Sequence, residues 1–392
     1  MAEIDARLSV QYMLMFGSLR GMTTPFRSKQ MLALLGGAFL ATVVHAAPAS
    51  DAELLAMMKT RVDIDHAGTG MVVGIIDAKG SHVLAYGSLS EGGAPVDADT
   101  VYEIGSITKV FTATILSDMA LRGEVSLADP VARYLPAAAA PPAFGGRQIT
   151  LTDLSSQVSG IPSIPGNIAP RDENNPFADY TVPQLYEFVH GYTPTRAAGE
   201  RYEYSNAGVG LLGHALTLRA GVDYETLVRQ RITGPLGMSS TAIALTPSMR
   251  QHLATGYDMP GRVAANWDMP ALAGMGALRS STADMLKFVG ANMGLRKTPL
   301  YGAMQAAHQP RHTVEGKPEL SVGLGWHVLE QHGSHIVWHN GGTGGYRTYI
   351  GFDTSTQRGV VLMSNSHMGS DDIARRALNS AFPLIVPKPM SM

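Results

Sequence analysis

Two short runs near residue 75 set the first local pattern. Met71 to Asp77 is almost continuously apolar, and Ser81 to Tyr86 passes from Ser81 and His82 into the apolar Val83, Leu84, Ala85 and Tyr86. With Ala78, Lys79 and Gly80 between them, they predict a β-hairpin. From Ile107 to Leu121 the period changes: Ile107, Val110, Phe111, Ile115, Leu116 and Met119 recur near helical spacing, and Gly123 stands where a C-cap would. So broad an apolar set predicts a buried helix.

Between about Pro130 and Leu300 the chain becomes a series of Pro- and Gly-punctuated helical pieces, among them Val182 to Gly191, Gly208 to Ala220 and Ser281 to Asn292, with few strands evident. Strand patterns return at Leu324 to Leu329, His335 to His339, Tyr346 to Phe352 and Gly359 to Met363, followed by a helical stretch from Asp371 to Ala381. The expected architecture is α+β. Residues 47–135 and 301–392 fold into one antiparallel sheet flanked by helices, and residues 136–300 form a mostly helical lobe. The Ala/Pro stretch from Pro136 to Ala143 is expected to be a surface loop.

Composition narrows the partners. The 392 residues carry 30 basic and 32 acidic side chains, a formal charge of −2, and no basic run outside the N-terminus, so the electrostatic footprint of nucleic-acid binding is missing. No cysteine is present, which removes disulfides, thiol nucleophiles and thiolate zinc sites. At the N-terminus Arg27 and Lys29 precede an apolar run from Met31 to Val44 that ends in His45, Ala46, Ala47 and Pro48. This is the layout of a cleavable signal peptide over residues 1–46, removed near Ala46 or Ala47. The run is shorter than the ~20 residues of a membrane span, so a periplasmic or secreted protein without a stable span is expected. Residues 1–21 fit no targeting pattern, and Met22 or Met31 makes a more natural start.

Three clusters can carry chemistry. Lys109 alone among eight lysines has a serine three residues before it. One helical turn apart, Ser106 and Lys109 share a face at a helix N-terminus, where N–H groups and positive potential favour an oxyanion. A serine hydroxyl needs a neighbour to take its proton. Lys109 either takes it, if burial lowers its pKa, or lowers the pKa of a second base. The ordinary reading is an N-cap serine followed by an exposed lysine. The second cluster is Tyr204 and Asn206 at the entry to a helical run, where Tyr204 can move a proton and Asn206 can bond both the lysine and a substrate amide. The ordinary reading is a tyrosine packed at a lobe boundary and an Asn cap. In the third, His339, Asn340, Gly341 and Gly342 end an apolar strand. The glycines let a ligand approach the backbone, Gly342 offers a second oxyanion N–H, and His339 can face an anionic substrate. The ordinary reading is a glycine hairpin turn.

In this order and spacing the clusters resemble those of the serine β-lactamase, DD-peptidase and family VIII esterase superfamily, especially its class C-like branch. The Ser-x-x-Lys motif falls on Ser106 and Lys109, Tyr-x-Asn on Tyr204 and Asn206, and the third motif on His339 to Gly341. The stretches from Thr152 to Pro162 and from Pro235 to Met238 extend the likeness over the mature chain. The resemblance implies a β-lactamase/transpeptidase-like fold, a monomer without cofactor or metal, and Ser106 as nucleophile with Lys109 and Tyr204 sharing acid–base work. Its substrates would be β-lactams, with D-alanyl peptides or short-chain esters as alternatives. The departure is His339, where class C β-lactamases usually place lysine. Arg347 or Asn365 then becomes a candidate for holding the substrate carboxylate.

Other signals fail in context. The G-x-G-x-x-G run from Gly208 to Gly213 follows no strand, no serine has a G-x-S-x-G setting, and His332, His335 and His339 lack the pairing of a zinc site.

Overall fold

The computed structural model describes residues 45–385. The predicted signal region therefore lies outside the described residues, apart from His45 and Ala46. The first hairpin joins β1 (Gly70–Asp77) to β2 (Gly80–Gly87), with Asp77 opposite Gly80 across a two-residue turn. Strand β3 (Val101–Glu103) leads into a 3-10 turn (Gly105–Ile107) and then the central helix (Thr108–Leu121). Twelve consecutive residues of that helix, Thr108 to Met119, are buried, so it has no solvent face and reads as apolar all round. It stops at Arg122 and Gly123, the latter in the left-handed conformation with φ +71°.

In the middle of the chain the helices Val182–Gly191, Asn206–Ala220 and Thr282–Asn292 lie where the apolar spacing puts them. Three short strands join them: β4 (Tyr257–Met259) and β5 (Arg262–Val263) form a hairpin, and β6 (Arg279–Ser281) pairs with β3. The C-terminal part runs as a meander of β7 (His312–Val314), β8 (Lys317–Val322), β9 (His327–Gln331), β10 (Ser334–Gly342), β11 (Arg347–Asp353) and β12 (Arg358–Ser364).

Antiparallel pairing of β1 with β12 closes the two chain ends into one eight-stranded sheet, in the order β2-β1-β12-β11-β10-β9-β8-β7. The sheet is covered on both faces, which explains why β11 is buried along its whole length. On one side Val72, Ile350, Phe352, Val361 and Met363 meet the central helix and Thr282–Asn292. On the other, Met71, Val73, Ile75, Tyr349, Val360 and Leu362 meet the helices Asp51–Lys59 and Asp371–Leu378 through Leu54, Met58, Ile373 and Leu378. Side chains alternate between these cores at the two-residue period of a strand. Each large aliphatic fully buried there contributes about 1.5–3 kcal/mol.

The structure departs from the sequence reading in two strands. Leu324 to Trp326 form the bend before β9 rather than its first residues, because Gly325 has φ +68° and its backbone lies against that of Lys109. β10 also continues through Asn340, Gly341 and Gly342, so the third motif is paired strand and no hairpin turn.

Candidate active site

Ser106 stands in the 3-10 turn where β3 passes into the central helix. Gly105 holds that turn at φ +50°, and a Cβ there would come within 2.7 Å of both N and O of Gly342. A Cβ on Gly341 would lie 1.9 Å from the carbonyl oxygen of Ile104, which also accepts a 3.0 Å hydrogen bond from Thr348 Oγ1. The Ser106 turn and β10 thus touch backbone to backbone. This is the physical reason for glycine at 105 and 341, and it brings Gly342 beside the serine turn.

Lys109 points back from the first turn of the central helix and is completely buried. Its Nζ lies 2.9 Å from Ser106 Oγ, 2.7 Å from Asn206 Oδ1 and 2.7 Å from the carbonyl oxygen of Met275. Desolvation holds its pKa well below the usual lysine value. Tyr204 lies across the site with its ring centroid 5.1 Å from Nζ. Burial raises its pKa, and its hydrogen bond with the Ser106 hydroxyl lowers it by less.

The Asn206–Ala220 helix fixes the position of Asn206. Its N-cap is Ser205, which accepts from Gly208 N at 2.8 Å and donates to the carbonyl oxygen of Pro162 at 2.9 Å. Gln157 accepts from Ser205 N at 2.7 Å. Asn206 is therefore free of capping duty and bonds Lys109 through Oδ1 and Ser163 Oγ through Nδ2.

Asn340, Gly341 and Gly342 line a cleft of about 510 Å³ together with Ser106, Tyr204 and Asn206. His339 does not line it. That side chain is 1% exposed and packs between the rings of Tyr204 and His327. Desolvation first, then the proximity of His327 and Lys109, keeps it well below the usual histidine pKa and so neutral. Asn365 is equally remote from the cleft lining. Its amide accepts from the N–H groups of Thr69 and Gly70 and donates to Thr69 Oγ1 and the carbonyl oxygen of Leu89, which fastens the end of β12 to β1. Arg347 does face the cleft, with His367 beside it.

Sequence reasoning missed the opposite wall. Ile164, Ile168, Pro176, Phe177, Trp267 and Met269 make it apolar. They come from irregular segments without periodicity. Trp267 is held by a hydrogen bond to the carbonyl oxygen of Asn174 and by edge contact with Phe177. Behind it Glu103 accepts from Trp267 N at 2.9 Å and pairs with Arg279 at 3.0 Å in a buried cluster. The carbonyl of Met275 likewise carried no signal, since any residue supplies one.

A serine at a backbone-rich turn, bonded to a desolvated lysine and facing a glycine strand, defines a serine hydrolase of the acyl-transfer kind. The chain belongs to the Beta-lactamase family, whose model matches residues 51–381. It is 28% identical to the D-alanyl-D-alanine-carboxypeptidase/endopeptidase AmpH of Escherichia coli K12, over 92% of this chain and 99% of that one. It is 26% identical to a β-lactamase of Pseudomonas fluorescens, over 76% and 88%. Among solved structures, the D-alanine carboxypeptidase AmpC from Burkholderia cenocepacia superposes with a TM-score of 0.69 at 26% identity, covering 83% of this chain and 97% of that one. A class C β-lactamase from Rhodobacter sphaeroides gives 0.70 at 24% identity, with the same coverage.

Proposed function

We propose that the protein hydrolyses β-lactam amides through an acyl-enzyme on Ser106. The observation that carries this reading is the set of partners around Lys109 Nζ. Asn206 Oδ1 and the Met275 carbonyl can only accept, so a neutral amine spends both its N–H bonds on them and turns its lone pair to the Ser106 hydroxyl. Full burial without a carboxylate partner favours that neutral amine at physiological pH.

Ser106 Oγ attacks the carbonyl carbon as its proton passes to Lys109. The oxyanion sits between the N–H groups of Ser106 and Gly342, while Asn340 and Gly341 hold the substrate along β10. Tyr204, kept as a phenol by burial, donates its proton to the leaving nitrogen as the C–N bond breaks, and recovers one from Lys109. Water then attacks the ester through the same pair in reverse. Neutral His339 supports the Tyr204 ring from behind. The protein acts as a monomer, exported to the periplasm and freed of residues 1–46.

The test is nitrocefin turnover and intact mass with Ser106→Ala as control. Rapid Ser106-dependent hydrolysis is expected; activity surviving in Ser106→Ala would overturn the nucleophile. A second reading, D-alanyl peptide hydrolysis, is favoured by the AmpH likeness along nearly the whole chain, and a persistent penicilloyl adduct with little turnover would select it.

A further inference from the structure

The neutral, buried His339 leaves the third motif without a cation toward the cleft, yet a cation is there. Arg347, the first residue of β11, is 5% exposed and lines the cleft. Its Nη1 donates to the carbonyl oxygens of Thr343 and Tyr346, and its Nη2 lies 3.3 Å from His367 Nδ1. Its Nε has no hydrogen-bond partner among the described residues. Asp371 attracts it only through space, being bonded to Asn340 Nδ2 instead. A buried guanidinium with no carboxylate hydrogen-bonded to it is costly, and an anion in the cleft would offset that cost.

Its position is equally informative. A Cβ built on Gly342 would fall 2.1 Å from Arg347 Nη1 and 2.8 Å from Cζ. The guanidinium fills the space a side chain at 342 would take, immediately beside the N–H assigned to the oxyanion. A group bound there is a few bonds from the scissile carbonyl.

Resting on the acyl-enzyme reading above, we infer that Arg347 is the substrate's carboxylate anchor, with glycine required at 342 to make room for it. Two hydrogen bonds to backbone carbonyls fix the planar fork, so the carboxylate meets a preorganised donor. His367 lies beside Arg347 at the same end of the cleft. An alternative use of the same cation, stabilising the oxyanion itself, would serve neutral and anionic substrates alike.

The experiment compares Ser106 acylation by benzylpenicillin and by its methyl ester, followed by intact mass. In Arg347→Gln the rate ratio of acid to ester is expected to fall roughly 10- to 100-fold, the worth of a charge-assisted hydrogen bond. A ratio measured on one preparation does not depend on how much of it is folded. Gly342→Ala gives an independent route, because the added methyl displaces the guanidinium, and the ratio should fall in the same direction. Adducts with both compounds at unchanged ratio in both variants would overturn the anchor alone. Equal losses with acid and ester would overturn it in favour of oxyanion support. If neither compound acylates the unsubstituted protein, the acyl-enzyme reading fails and the anchor with it.

Discussion

The two sides of the cleft are built differently. The reactive floor comes from regular elements: the start of the central helix, the start of Asn206–Ala220, and β10. Lys109 and Asn206 there are bonded to each other and to fixed partners. The apolar wall comes from two irregular segments that clasp each other, with Asn175 and Asp268 exchanging hydrogen bonds of 2.8 and 3.0 Å near the surface. Groups that must be held to fractions of an ångström sit on helices and strands, while groups that choose among substrate side chains sit on loops.

This contrast can be broken by substitution. The largest effect belongs to Ser106→Ala, for which turnover of every substrate should fall by about 10⁴-fold or more with the circular dichroism spectrum retained. Lys109→Ala should slow acylation about 10²- to 10⁴-fold, again across substrates, as removal of a general base does. Its sign is visible in pH as well. A lysine held below its ordinary pKa is active when unprotonated, so kcat/KM should fall as pH drops through that lowered value. Tyr204, raised above its ordinary value, should cause no loss on the alkaline side near pH ~10.

Wall substitutions should instead separate substrates. Trp267→Ala is expected to raise KM about tenfold for penicillins with an aryl side chain and much less for those with a small one, the scale of losing one large apolar contact. A uniform loss in kcat would break the contrast. The smallest kinetic effect should come from Asn365→Ala, which leaves kcat/KM within about twofold. It should still lower unfolding stability by about 1–3 kcal/mol in urea titration, because it leaves buried backbone donors without partners.

Much of the floor was legible in the sequence because its signals are local. Ser106 and Lys109 sit one turn apart on a helix that announces itself by composition, and the first hairpin is two apolar runs about a short turn. The role of His339 was not legible. Its neighbours Tyr204 and His327 come from other parts of the chain, and only their packing shows that the imidazole is desolvated and turned away from the cleft. Strands β7 and β8 escaped notice because, near the sheet edge, residues such as Lys317 and Glu319 dilute their apolar signal. β3 and β6 are too short to show a period. The wall was invisible because its irregular segments have no repeat.

The backbone contact between Gly105 and Gly342 also fixes when activity can begin. Ser106 and Lys109 are made early in synthesis, and the strand that leans on them is made near the end. A chain whose last strands are still missing has Ser106 and Lys109 without Gly342, without Arg347, and without β12 to join the sheet halves. Under the proposed acyl-enzyme mechanism activity therefore requires the completed fold, and a chain in which β10 is not yet in place is expected to be inert.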